Sequence, residues 1–209
     1  MSAYRHSASA VQRAKKRSAT GAAAYRSGTK LVDVRTGAEY DYTRRRGVAS
    51  AHLIVPGAPH IDAVDRQALW AAVETKHTRG DAVPAREFVT NLPHELDPVD
   101  RLALTLRYGQ HVSDTYGVAV DIGVHLPSIK PGHDQRNHHA HFLMSACSVS
   151  YVDGVLQCGK KVEALDPSYP AMYARGILWM RMQRWEPAAE AFAMHLESHR
   201  DGRLGLRAQ

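Results

Sequence analysis

The sequence predicts an α+β fold: an antiparallel sheet with helices packed on one face, followed by a C-terminal helical hairpin. Three observations predict it. Two strand-like runs, 118–125 and the apolar run from His139, are separated only by a loop, and consecutive strands without an intervening helix pair antiparallel. Helical patterns over 19–27, 61–77 and 97–116 alternate with shorter β-like runs. Beyond residue 166 the strand signals stop and residues 171–198 read as two amphipathic helices.

Taken in order, residues 2–8 form a candidate strand. A basic cluster follows: Arg13, Lys15, Lys16 and Arg17. Ser18 is an N-cap for an alanine-rich helix from Ala19 to about Ser27, closed by Gly28. Small alanines let such a helix press onto a sheet. Tyr25 lies in its last turn, and from the residue alone a tyrosine filling the helix–sheet seam is the favoured reading. Thr36-Gly37 marks a turn, followed by Tyr40, Tyr42 and Arg44-Arg45-Arg46. Aromatics interleaved with arginines suit a nucleic-acid backbone with unstacked bases; a solvated hairpin explains them as well. Residues 48–55 are β-like and end at Pro56. Ile61, Val64, Ala68, Leu69, Ala72 and Val73 then recur at helical spacing.

Residues 85–92 alternate, with Arg86, Phe88, Thr90 and Leu92 on one face and Ala85, Glu87, Val89 and Asn91 on the other. Asp97 and Pro98 are the cap and first position of a helix that reaches Tyr116 and stops at Gly117. In 118–125, Val118, Val120, Ile122 and Val124 share one face. Ala119, Asp121, Gly123 and His125 share the other, which reads as open. After a loop with two prolines and a glycine, His139 and His141 project from one face of the next strand, since side chains alternate along a strand. Strand phase places His125 on the same face. His138 points the other way, and His133 lies in the loop; these two read as alternative ligands, phosphate contacts or nothing.

Asp153-Gly154 is a hairpin turn. In the helical tail, Gly176, Trp179, Ala188 and Phe192 match the spacing of a tetratricopeptide-like helix pair. One such unit cannot bury both faces by stacking, so it must dock on the main domain or a partner, or remain marginal. The expected division is a main domain over 1–165 and a helical tail over 166–209.

The 209 residues suffice for one domain plus a small appendage. The net charge of +6 favours a polyanionic partner, nucleic acid before an anionic membrane surface. Cys147 and Cys158 supply neither a disulfide framework nor zinc spacing, and Cys147 reads as a buried thiol. A reducing cytoplasm is the expected compartment. No signal peptide is expected, and no apolar run approaches the ~20 residues of a membrane span.

Three neutral imidazoles leave a divalent cation its full charge, which suits polarising phosphate oxygens more than redox chemistry. No HExxH or paired-carboxylate motif is present for a metal-bound water nucleophile. Phosphoryl transfer can instead use a side chain. A tyrosine, with an ordinary pKa of ~10, then needs a metal field or a nearby base.

Residues 22–28, the run Thr36-Gly37-Ala38-Glu39-Tyr40-Asp41-Tyr42-Thr43, Ala85-Arg86-Glu87 with Leu92-Pro93, and residues 137–141 resemble, in order and spacing, the successive motifs of MobA/MobL-type conjugative relaxases. The resemblance covers residues 1 to about 165. It implies an HUH endonuclease with a ferredoxin-like central antiparallel sheet. Such enzymes nick one strand of DNA at a plasmid transfer origin, and a tyrosine stays attached to the 5′ phosphate. By the resemblance, Tyr25 is the nucleophile and His125, His139 and His141 are the metal ligands, with Mg²⁺ or Mn²⁺ the expected metal. Glu87 matches an acidic position that acts as base or orients a ligand. The basic residues Arg13, Lys15, Lys16, Arg17, Arg26, Arg44, Arg45 and Arg46 are the candidate contacts to single-stranded DNA. The expected protein partners are relaxosome accessory and coupling proteins.

Two departures stand out. His138 occupies a position where the family commonly has proline, and the chain turns at Leu165-Asp166-Pro167 into the helical tail rather than a longer C-terminal region. Two rivals follow. A rolling-circle replication initiator would use tyrosines after the histidine pair, here Tyr169 and Tyr173. A DNA-binding remnant would bind without chemistry.

Overall fold

The computed structural model describes residues 6–162. The expected helical tail over 166–209, with Tyr169 and Tyr173, lies outside the described residues, as do residues 2–5 of the first expected strand.

The elements run β1 (His6–Val11), a 3-10 turn (Arg13–Lys15), α1 (Ala19–Ser27), β2 (Lys30–Val32), β3 (Glu39–Asp41), β4 (Val48–Ile54), α2 (Arg66–Lys76), β5 (Ala85–Asn91), α3 (Pro98–Tyr116), β6 (Val120–His125), β7 (His139–Ser145), β8 (Cys147–Val152) and β9 (Val155–Lys161). Five strands form one sheet in the order β1-β5-β7-β6-β4, antiparallel throughout. β2–β3 and β8–β9 are separate hairpins. The α+β class with a central antiparallel sheet is therefore what the chain forms.

The caps behave as their side chains dictate. Ser18 accepts from the Gly21 amide, Asp97 from the Val99 and Asp100 amides, and Gly28 and Gly117 close α1 and α3 in the left-handed conformation. α2 begins later than the periodicity from Ile61 suggests. Asp62 takes a φ of 65°, and Asp65 caps the helix by accepting from the Ala68 amide. Cys147 is buried, and both cysteines are free thiols.

One detail is corrected: the helices divide between the two faces of the sheet. Below it, Val112 of α3 shares a core with Phe88, Ile122 and Phe142. Above it, Ala19, Ala23 and Ala24 of α1 and Leu69, Trp70 and Val73 of α2 pack with Leu53 and Leu143. The face of β6 that reads as open is covered. Asp121 is a buried carboxylate satisfied by Arg66 Nε at 3.0 Å and Trp70 Nε1 at 2.8 Å. Gly123 is small because α1 lies directly on it: a Cβ there would sit 2.6 Å from the Arg26 carbonyl oxygen.

A buried ion pair joins the 3-10 turn to α2, and its carboxylate also takes the first amide of α1. Glu74 accepts from Arg13 Nη2 at 2.5 Å and from the Ala19 amide at 2.7 Å. Arg13 also donates to the carbonyl oxygens of His77 and Arg79.

The Gly123 contact yields a prediction. Gly123→Ala must push α1 off the sheet, and overpacking of this kind costs about 1–3 kcal/mol. The urea midpoint is expected to fall accordingly; an unchanged midpoint would show that α1 does not rest on this strand.

Candidate metal centre

β6 and β7 pair so that His125 lies opposite His139 and Gly123 opposite His141. The three imidazoles thus share the face that α1 partly covers. Their ring centroids are 5.3 Å (His125–His139), 4.7 Å (His125–His141) and 5.4 Å (His139–His141) apart. One ligand nitrogen from each lies within 4.8 Å of the others.

What surrounds each ring assigns its tautomer. His125 Nε2 donates to the Arg26 carbonyl at 2.8 Å, His139 Nδ1 to the Asn137 carbonyl at 3.0 Å, and His141 Nδ1 to Glu87 Oε1 at 2.7 Å. Each acceptor takes the ring proton, so the other nitrogen keeps its lone pair. Burial drives the His125 imidazole down to about 4, against the upward pull of the Arg26 carbonyl; burial also lowers His139. Both rings are neutral at pH 7, as metal ligation requires. Three ring nitrogens whose opposite sides are already hydrogen-bonded fit a divalent cation.

Glu87 stands behind His141. Arg26 Nε and Nη2 fork onto its two carboxylate oxygens, and Ser9 Oγ donates at 3.3 Å. Burial alone would push this carboxyl up. Hydrogen bonds from His141 and Arg26, with the Arg26 charge, outweigh it and hold the group at about 2. Glu87 is thus an ionised acceptor, and the geometry matches the orienting alternative rather than a free base.

Tyr25 is not sealed in the helix–sheet seam: it is 44% exposed. Its ring meets Tyr42 edge-on at 5.1 Å, and Arg45 Cζ lies 3.5 Å from its centroid, a close cation–π stack. Arg45 also bears on the histidines, since its charge helps lower both His125 and His139. The peptide following Tyr25 supplies the Arg26 carbonyl that holds His125. Nucleophile candidate, arginine and metal-ligand candidates therefore share one neighbourhood.

The other candidate residues separate. Lys15, Lys16, Arg44 and Arg46 are exposed, and Arg45 is half-buried. Arg17 is half-buried and donates to the Ala10 carbonyl at 3.0 Å. Arg13 and Arg26 are corrected: both are buried in ion pairs, with Glu74 and Glu87, and neither forms part of an exposed basic surface. Glu74 held a readable signal, because it follows Leu69, Trp70 and Val73 on the buried side of α2, where a carboxylate needs a cation. His138 faces away from the triad and meets Arg101 Nη1 at 3.2 Å. His133 is exposed in the loop. Arg101 was not singled out in the sequence; besides His138 it pins the connection between β5 and α3 by donating to the Pro93, His94 and Leu96 carbonyls.

The MobA/MobL family model matches residues 17–193. The chain belongs to the MobA/MobL family. Mobilization protein MobL of Acidithiobacillus ferridurans is 41% identical over 215 residues, which cover 93% of this chain and 55% of that protein. Probable mobilization protein MobA of Bifidobacterium longum (strain NCC 2705) is 30% identical over 69% of this chain and 25% of that protein. This MobA/MobL chain thus spans at most about half the length of these relatives. A solved structure titled "Molecular Basis of Vancomycin Resistance Transfer in Staphylococcus aureus" shares its fold, with a TM-score of 0.66 and 22% identity over 96% of this chain and 95% of that one. Among the described residues of this family member, no helix is long and apolar enough to cross a membrane.

Two outcomes are expected of the centre. Glu87→Gln and His141→Ala should each weaken Mn²⁺ binding by calorimetry, Glu87→Gln by about 10–100-fold, the usual loss when an outer-shell partner is removed; equal affinity in wild type and Glu87→Gln would sink the orienting role. The acid limb follows from the sign of the Glu87 shift. Its folded value of about 2 lies below the ordinary 4.5, so its ionisation stabilises the fold fully above pH 4.5 and ceases to as pH falls toward 2. Wild type should lose stability more steeply across that window than Glu87→Gln.

Proposed function

We propose that this chain is a relaxase domain that nicks one DNA strand at a plasmid transfer origin, with Tyr25 as nucleophile beside a divalent metal on His125, His139 and His141. The observation that carries the reading is the hydrogen bond from His125 to the Arg26 carbonyl. It ties the residue after Tyr25 to a metal-ligand candidate. Mg²⁺ or Mn²⁺ suits the site, selected partly by availability.

His125, His139 and His141 would hold a divalent cation, which would supply Lewis-acid polarisation to the scissile phosphate. The chain's own groups do the rest. The α1–sheet contact at Gly123 fixes the distance from which Tyr25 approaches. Arg45, stacked on the ring, leaves its fork near the incoming phosphate. The phenol proton goes to solvent. The Tyr25 Oη–P bond forms as the P–O3′ bond breaks, and the leaving O3′ takes a proton to become a free 3′ hydroxyl. One phosphoester replaces another, so the reverse reaction can reseal the strand. Glu87 acts as a positioning residue by holding His141.

Exposed Lys15, Lys16, Arg44 and Arg46 extend the reading to a track for the single strand, whose phosphates dominate affinity. The proposed division keeps residues 1–165 as the nuclease domain and 166–209 as a helical tail. The proposed setting is the cytoplasm, with relaxosome accessory and coupling proteins as partners.

The test uses labelled single-stranded transfer-origin DNA with Mn²⁺. A covalent adduct is expected from wild type, lost in Tyr25→Phe and kept in a Tyr169→Phe/Tyr173→Phe variant. The reverse pattern would make the chain a replication initiator. Binding without any adduct would make it a non-catalytic remnant.

A further inference from the structure

Beside the histidines lies a groove of about 200 Å³, lined by Ser7, Val89, Asn91, Asn137, His139 and His141. Its place in the sheet matters. In the order β1-β5-β7-β6-β4, the groove floor belongs to β1, β5 and β7. α1 rests on the other half, over β6 and β4, where Gly123 meets the Arg26 carbonyl and Gly28 meets Val48. His139 and His141 therefore stand between the helix that carries Tyr25 and the groove.

In-line displacement at phosphorus sets attacking and leaving oxygens on opposite sides. With the phosphate over the histidines and Tyr25 arriving from the α1 side, the departing O3′ points toward β1 and β5. We infer that the groove is the binding subsite for the nucleoside on the 5′ side of the nick, the one released with a free 3′ hydroxyl. This rests on the nicking reading for its polarity.

The lining fits that ligand. Val89 offers an apolar floor for a base. Asn91 and Asn137 carry amides, which combine donor and acceptor and can read a base edge. Ser7 on the edge strand supplies a hydroxyl at the rim. The volume falls below the roughly 300–1,000 Å³ of ordinary small-molecule sites, which suits one nucleoside. Two consequences follow: base preference immediately 5′ of the nick, and retention of the 3′ end for resealing.

The test needs neither the nick sequence nor turnover. The full chain with Mn²⁺ is titrated with fluorescent trinucleotides bearing either a 3′ or a 5′ phosphate, each with all four bases at the phosphorylated end. A 3′ phosphate anchored at the metal centre lays its nucleoside in the groove; a 5′ phosphate lays it toward α1. Asn137→Ala removes an exposed loop amide while keeping the backbone carbonyl that holds His139. Asn91→Ala is the second variant. Each is expected to weaken 3′-phosphorylated probes about tenfold and flatten their base preference, with 5′-phosphorylated probes unchanged, since one good amide–base pair gives discrimination of that order. A loss confined to 5′ probes, an equal loss for both, no loss for either, or no measurable binding of 3′ probes overturns the inference. If wild type forms no tyrosine adduct yet this pattern appears, the nicking reading fails and the groove assignment stands.

Discussion

The candidate centre depends on Arg26. Its guanidinium forks onto Glu87 of β5, while its backbone carbonyl accepts from His125 of β6. Glu87 in turn fixes His141 of β7. One residue at the end of α1 therefore orients two ligand candidates on two strands and sets the helix against both. A buried arginine and a buried carboxylate are each costly alone; together they are tolerated because Arg26 forks onto both Glu87 oxygens and donates to the Ala22 carbonyl, while Glu87 also accepts from His141. The same residue immediately follows Tyr25, so nothing flexible intervenes between the ligand scaffold and the nucleophile candidate.

Much of this was legible because β-strand phase is a strong local signal. The alternation in 118–125 and 139–146 was enough to gather His125, His139 and His141, and to turn His138 away. The caps Ser18, Asp97, Gly28 and Gly117 were legible for the same reason: each acts within three or four residues of itself. What escaped was non-local. Asp121 and Gly123 look like a solvent-facing row, because the partners that satisfy them, Arg66, Trp70 and the Arg26 carbonyl, lie 51 to 97 positions away in the chain. The second helical layer followed from the same blindness.

The basic residues show the same limit from the other side. A count of positive charge does not separate a solvated arginine from one spent on a buried carboxylate. Arg13 and Arg26 have acidic partners 61 residues away, in each case on another element. Removing both from the surface leaves the exposed charge near the 42–47 turn and at Lys15 and Lys16. These groups flank opposite ends of α1: Lys15 and Lys16 come before its first turn, and Arg44 and Arg46 flank Arg45, which stacks on Tyr25 in its last turn.

The place of β7 in the sheet has a further consequence. It is the middle strand, bonded to β5 on one side and β6 on the other, so His139 and His141 ride on backbone whose amides open only when the sheet itself comes apart. Tyr25 instead projects from the last turn of a nine-residue helix into solvent, held by a ring edge and a stacked guanidinium. The scaffold thus pairs a ligand set held in the middle of the sheet with a nucleophile candidate at the surface; in the proposed reaction this asymmetry lets a bulky strand enter and leave without disturbing the ligand geometry.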